Sequence, residues 1–259
     1  MKQKTENIKR VYGRRQSRPL NESRQNALET LLPTLKIPEA SVTGTPNIDP
    51  ASLFDFSPKE TWLEIGFGSG EHVAGLMRRH PENAYIGVEP FVNGMAAFLK
   101  DIHDSCIPCE SRDLLEQQQK DSRFRGKSNP PRNIRVHMDD AVLLAQSIIP
   151  NSLDGIYILN PDPWHKKRHW KRRIVRPETL DIYARILKPG GKLIMSSDVP
   201  DMSQWMLTHT YNHPAFTWTA IRANDWRKAP PDWITTKYEI KGAKGAKVMS
   251  YLIFERKTL

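Results

Sequence analysis

Three glycines and two acids form the first group with chemistry in it. The run Glu64-Ile65-Gly66-Phe67-Gly68-Ser69-Gly70 ends one apolar stretch, and Glu89 ends the next, 25 positions after Glu64. Glycines let a backbone approach a ligand closely, and an acid at the end of a second strand can accept both hydroxyls of a ribose. A nucleoside-containing cofactor is implied. The spacing is G-x-G-x-G, and Glu71 opens the next helix where a pyrophosphate would need positive potential. That points away from a dinucleotide. S-adenosylmethionine has no phosphate and carries a sulfonium beside an α-amino group, so an acid such as Glu64 just before the turn suits it. Asp139-Asp140-Ala141 follows a third apolar run. Asp140 could accept an adenine amino group there, or simply cap the following helix.

The sharpest feature is Asn160-Pro161-Asp162-Pro163-Trp164, continued by His165-Lys166-Lys167-Arg168-His169-Trp170-Lys171-Arg172-Arg173. Two prolines flanking Asp162 restrict where its carboxylate points. From His165 to Arg176 there are seven Lys or Arg and no acid, a density that repels itself unless a polyanion is near. This reads as a phosphate-binding loop. Trp164 and Trp170 could stack on bases of looped RNA; the other readings are a core aromatic for Trp164 and a solvated face for the charge run.

The elements that must position these residues alternate. The patterning predicts strands at 61–66, 84–89, 134–137, 155–159 and 192–197, with helices at 71–80, 91–103, 141–149, 177–187 and near 202–211. This βαβ rhythm implies an α/β fold with a mostly parallel sheet covered by helices on both faces. Strands at 216–222 and 248–256 should pair antiparallel, because no helix of obvious length separates them. Residues 1–25 read as a flexible basic arm, with one or two helical turns from Asn26 to Leu35. Residues 26–259 read as one domain with a polar insertion at about 104–132, where a short helix around 113–119 is expected.

The chain has 259 residues with a formal charge of +10, which favours a polyanionic partner, and its 38% hydrophobic content is enough for a sizeable core. Two cysteines build no disulfide framework, and no apolar run is long enough to span a bilayer. A cytoplasmic setting is expected. Cys106-Ile107-Pro108-Cys109 is a single CxxC without a second pair, so no metal site is expected. Ser197-Asp198 ends a strand at the same edge as the acids above, with Asp198 a candidate helix cap. Thr236-Lys237-Tyr238-Glu239 precedes a basic glycine-containing turn, Lys241 to Gly245, with the pattern of an ordinary hairpin.

Taken together the chain resembles the tRNA (guanine-N7-)-methyltransferase family, bacterial TrmB type. The resemblance is carried by Tyr12-Gly13-Arg14-Arg15-Gln16, the Glu64–Gly70 turn, Gly87-Val88-Glu89, Asp140-Ala141, Pro161-Asp162-Pro163-Trp164 with its basic tail, and Thr236-Lys237-Tyr238-Glu239. It implies a class I, Rossmann-like methyltransferase with an antiparallel C-terminal strand. Glu64, Gly66, Gly68, Gly70, Glu89, Asp140 and Ala141 would then bind S-adenosylmethionine, and Asp162 would be the acid at the methyl-transfer site. Lys166, Asp198, Thr236, Lys237, Tyr238 and Glu239 match positions that hold the guanosine. Arg168, His169, Trp170, Lys171, Arg172 and Arg173 match an RNA-contacting stretch. The implied substrate is a guanosine in the tRNA variable loop, position 46, with no obligatory protein partner and a monomeric or homodimeric enzyme.

Overall fold

The computed structural model describes residues 11–106, 130–244 and 248–258. Its centre is a seven-stranded sheet in the order β3-β2-β1-β4-β5-β7-β6. The strands are β1 (Thr61–Ile65), β2 (Ala84–Val88), β3 (Ile134–His137), β4 (Leu153–Leu159), β5 (Leu187–Ser197), β6 (Phe216–Trp218) and β7 (Ser250–Arg256). β1 to β5 pair parallel, and β7 runs antiparallel between β5 and β6. The reversal of strand order on either side of β1 opens a crevice at the carboxyl edge, where ligands bind in open α/β sheets.

Both faces are covered, so the central strands read as continuous apolar runs rather than alternating ones. On one face α1 (Glu22–Leu35), α2 (Glu71–Arg79) and α3 (Val92–Cys106) pack Leu31, Val73 and Phe98 together. On the other, α4 (Ala141–Ser147), α5 (Pro177–Ile186) and α6 (Pro200–Tyr211) contribute Leu144, Leu180 and Met202. Within the sheet Gly155 makes room for Trp62, since a Cβ there would fall 1.9 Å from the indole. Trp62 then stacks on Tyr157 with ring centroids 4.9 Å apart.

Four elements depart from expectation. The helix expected from Asn26 begins at Glu22, because the Asn21 side chain caps it through the Arg24 N–H. The supposedly free arm is held from Val11 onward: Val92 donates its N–H to the Arg15 carbonyl at 2.8 Å, and Asn93 bonds Ser17 and Arg18. The strand expected over 216–222 stops at Trp218. Beyond it the Asp225 carboxylate accepts the Ile221 and Arg222 N–H groups at 2.9 and 2.8 Å, turning the chain away from β7. The basic hairpin expected at Lys241–Gly245 is instead helical to Lys244, as part of α7 (Lys237–Lys244). The helix expected around 113–119, most of the insertion and Cys109 lie outside the described residues. Among the described residues no helix is long and apolar enough to cross a membrane.

Candidate active site at the carboxyl edge of the sheet

A cavity of about 440 Å³ opens where β1, β2, β3 and β4 end, and its lining includes Gly66, Glu89, Asp140, Ala141, Asp162 and Arg172. The glycine turn forms one wall. Gly66, Gly68 and Gly70 all have positive φ, at 73°, 59° and 77°, a region that other residues enter at a cost of about 1–2 kcal/mol. Their uses differ. A Cβ on Gly66 or Gly68 would meet open space, so those two leave bare backbone for a ligand to lie against, whereas one on Gly70 would strike Phe98 at 2.3 Å. Gly70 therefore lets α2 pack on α3.

Glu89 is buried beside this turn, and its Oε2 accepts the Gly68 N–H at 2.7 Å while Oε1 accepts the Phe91 N–H at 2.9 Å. Burial raises its pKa; the two N–H bonds oppose that, and the charges of Asp162 and Glu64 add to it. Each carboxylate oxygen keeps a second lone pair, so the acid is fixed in orientation yet able to accept two hydroxyls. The Asp140 side chain caps α4 through the Val142 and Leu143 N–H groups at 2.8 and 3.1 Å. Capping is thus its observed bond, made while it lines the cavity.

Across the cavity the backbone leaves β4 through two strained positions, Asn160 at φ 48° and Trp164 at φ 43°, which bracket Asp162. The Arg172 guanidinium lies 4.9 Å from the Trp164 ring and 5.1 Å from the Tyr12 ring. Val11 to Arg14 also line the cavity, and Arg15 forms an ion pair with Asp139. The N-terminal segment is thus a roof over the site. The aromatic and arginine content of Val11–Gln16 was the available signal, but no periodicity announces where such a strap docks.

Several expected contacts fall elsewhere. Glu64 does not line the cavity; it is 4% exposed beneath the turn, with its Oε2 2.9 Å from Nδ1 of the equally buried His72. Arg173, expected as an RNA contact, is 0% exposed, bonded to the Pro163 carbonyl at 2.8 Å and paired with Asp201, at the inner edge of the cavity lining. Trp170 packs against Trp205 at 5.1 Å and against Arg173, so its indole is a wedge under the loop rather than a free stacking platform. The basic run itself coils into a 3-10 helix, Lys167–Arg172, with Lys166, Lys167, Arg168 and Lys171 exposed and His169 edge-on to Trp164 at 5.8 Å. Asp198 is buried at the end of β5. The helix after it has Val199 at its N-cap position, and the Val199 N–H goes to the Ser197 hydroxyl.

Thr236-Lys237-Tyr238-Glu239 forms a reciprocal cap at the start of α7. The Thr236 hydroxyl accepts the Glu239 N–H and Glu239 Oε2 accepts the Thr236 N–H, both at 3.2 Å. The T-x-x-E spacing carries that signal on its own. Lys237 and Tyr238 between them are exposed, while Glu239 is buried.

Comparison with known proteins agrees with this geometry. A family model described as "Putative methyltransferase" matches residues 58–251. The tRNA (guanine-N(7)-)-methyltransferase of Azorhizobium caulinodans is 40% identical over 97% of this chain and 97% of its own. That of Agrobacterium fabrum is 39% identical over 95% and 94%, and that of Rhodospirillum rubrum 37% identical over 96% and 88%. The chain therefore belongs to the tRNA (guanine-N(7)-)-methyltransferase family and has the class I methyltransferase fold.

Proposed function

We propose that this protein transfers a methyl group from S-adenosylmethionine to N7 of a guanosine in the variable loop of tRNA, position 46. The observation that carries the reading is one cavity lined by Gly66 of the glycine turn, Glu89, Asp140 and Asp162, beside a run of exposed lysines and arginines. The donor set fits the cofactor: Gly66 and Gly68 leave space a Cβ would fill, and the carboxylates suit a cationic ligand without phosphate.

When bound, the cofactor supplies an electrophilic methyl on a sulfonium. Guanine N7 offers a lone pair and no proton, so the protein has to provide alignment rather than a general base. With the cofactor bound, Glu89 would accept the ribose hydroxyls, and Asp140 and Ala141 would hold the adenine. Glu64 supports the turn from beneath, held by His72. Asp162 either accepts from the guanine N1–H and N2 amino group, which orients N7, or stabilises the positive charge that develops on the purine. The first role selects guanine over adenine, which has neither donor.

Lys166, Asp198 and the Thr236–Glu239 turn hold the guanosine. Lys166, Arg168, His169, Lys171 and Arg172 meet the RNA backbone. The enzyme works in the cytoplasm as a monomer or homodimer without an obligatory protein partner. The test is incubation with S-adenosylmethionine and unmodified tRNA transcripts, followed by nucleoside mass spectrometry that resolves the methylguanosine isomers. Cofactor-dependent 7-methylguanosine is expected, lost when the transcript carries adenosine at position 46; cofactor binding with another isomer or no product would overturn the reading.

A further inference from the structure

The helix that follows the glycine turn carries more than that turn. Along α2, the side chains of Glu71, His72 and Arg79 and the bare Cα of Gly75 all meet one distant segment of chain. At the carboxyl end of α2, Arg79 donates to the Asp232 carbonyl. Mid-helix, Ile234 drops onto Gly75 so closely that a Cβ there would lie 2.5 Å from the Ile234 Cδ1. Nearer the start, the His72 ring lies 5.1 Å from the Trp233 ring, and Lys237 reaches Glu71 at 3.4 Å. The segment 232–237 is therefore laid back along α2 toward the glycine turn. Trp233 then ties it to the reciprocal cap, since its indole N–H donates to Glu239 Oε2 at 3.2 Å.

Nothing in α2 itself calls for Gly75. A glycine in a helix interior weakens it relative to alanine, and its use is to let another element come close. Here that element is the segment that ends in Thr236–Glu239.

We propose that α2 is the dock that holds residues 232–239 in register with the glycine turn, and that Gly75 and Trp233 are positioning residues for the guanosine-binding Thr236–Glu239 turn. This rests on the function proposed above for that turn. Because α2 starts at Gly70 and His72 is bonded to Glu64 of β1, the cofactor wall and the guanosine-binding turn share one rigid element.

The test uses the full chain with tRNA transcripts, reading kcat and KM for tRNA by 7-methylguanosine formation, and the Kd of S-adenosylhomocysteine without RNA. Gly75→Ala should lower kcat/KM for tRNA about tenfold with the Kd within about twofold of wild type. Adding Ile234→Val, which removes the Cδ1 at 2.5 Å and leaves Cγ2 at 3.1 Å, should restore most of it with the Kd unchanged. Trp233→Phe keeps the ring against His72 but removes the donor to Glu239, and should give the same split between kcat/KM and Kd. Wild-type kcat/KM in both single variants, a loss that Ile234→Val leaves unrepaired, or a parallel loss of Kd would overturn the proposal. Wild-type protein that makes no 7-methylguanosine would instead overturn the functional reading on which it rests.

Discussion

Arg173 sits in the densest basic run of the chain, yet truncating it to alanine should destabilise the fold and leave the electrostatics of RNA binding unchanged. The side chain is 0% exposed. Its Nε donates to the Pro163 carbonyl, a bond from a charged donor that contributes about 1.5–3 kcal/mol. Its guanidinium lies over the half-buried Trp170 and Trp205, contacts that contribute about 1 kcal/mol each. The Asp201 pair adds only about 0.5 kcal/mol, because that carboxylate is more than half exposed and stays solvated. Against these stands Nη1, buried without a hydrogen-bond partner among the described residues, which costs about 1–3 kcal/mol. The balance is about 3 kcal/mol of lost stability. For a chain of this size that lowers Tm by roughly 6–12 °C.

Thermal unfolding followed by circular dichroism reads the first quantity. Filter binding of tRNA across a salt series reads the second. Because Arg173 also fixes the Pro163 carbonyl next to Asp162, kcat should fall even where the variant is fully folded. Arg173→Met, which keeps the stem over Trp170, should recover part of the stability. An unchanged Tm together with a shallower dependence of log K on log salt would refute the reasoning, because it would make Arg173 a phosphate contact.

Lys171 is exposed in the same run, so Lys171→Gln should keep the wild-type Tm and reduce the salt slope by about 0.7–0.9, the value of one lost phosphate contact. Asp162→Asn should leave the Kd for S-adenosylhomocysteine intact and lower kcat about 10²–10³-fold in a single-turnover assay; near-normal turnover would remove Asp162 from the site. Burial raises the Glu89 pKa above that of an unfolded glutamate. Between those two values the native state binds the extra proton, so this group's contribution to stability falls as pH rises through the folded pKa. Glu89→Gln should abolish that fall in a Tm-against-pH series. In wild type, cofactor affinity measured by calorimetry should weaken on acidification before an ordinary glutamate would protonate. A pH-independent Kd through that range would count against Glu89 as the ribose acceptor.

The alternation of apolar runs was sufficient to place β1 to β5, because strands buried on both faces leave continuous Val, Ile and Leu stretches that few other structures need. Gly66, Glu89, Asp140 and Asp162 were legible for a related reason: in a doubly wound sheet, residues just past strand ends meet at one edge. What escaped was decided by side chains far apart in sequence. Arg173 and Arg172 are adjacent and chemically identical, and only the packing of Trp170 on Trp205 determines which one is buried. Glu64 precedes the turn as expected, but β strands alternate faces, and its side chain lies on the side of His72 rather than of the cavity. The Thr236–Glu239 cap was readable from its spacing, whereas the Gly75 notch that receives Ile234 was not, because a lone glycine in a helix does not name its neighbour.

The stack of Tyr12, Arg172 and Trp164 has a consequence for how the protein is made. A ribosome delivers Tyr12 long before its two partners exist, since nearly the whole parallel sheet is synthesised between them. During that interval Tyr12 has neither the Trp164 ring nor the Arg172 guanidinium to pack on, although Val92 and Asn93, which bond Arg15, Ser17 and Arg18, are already made. The segment's arginines, Arg14, Arg15 and Arg18, keep it solvated where an apolar strap would invite aggregation. Closing the roof must then wait for β4 and the loop that follows it, so a nascent chain gains its cofactor cavity late in synthesis.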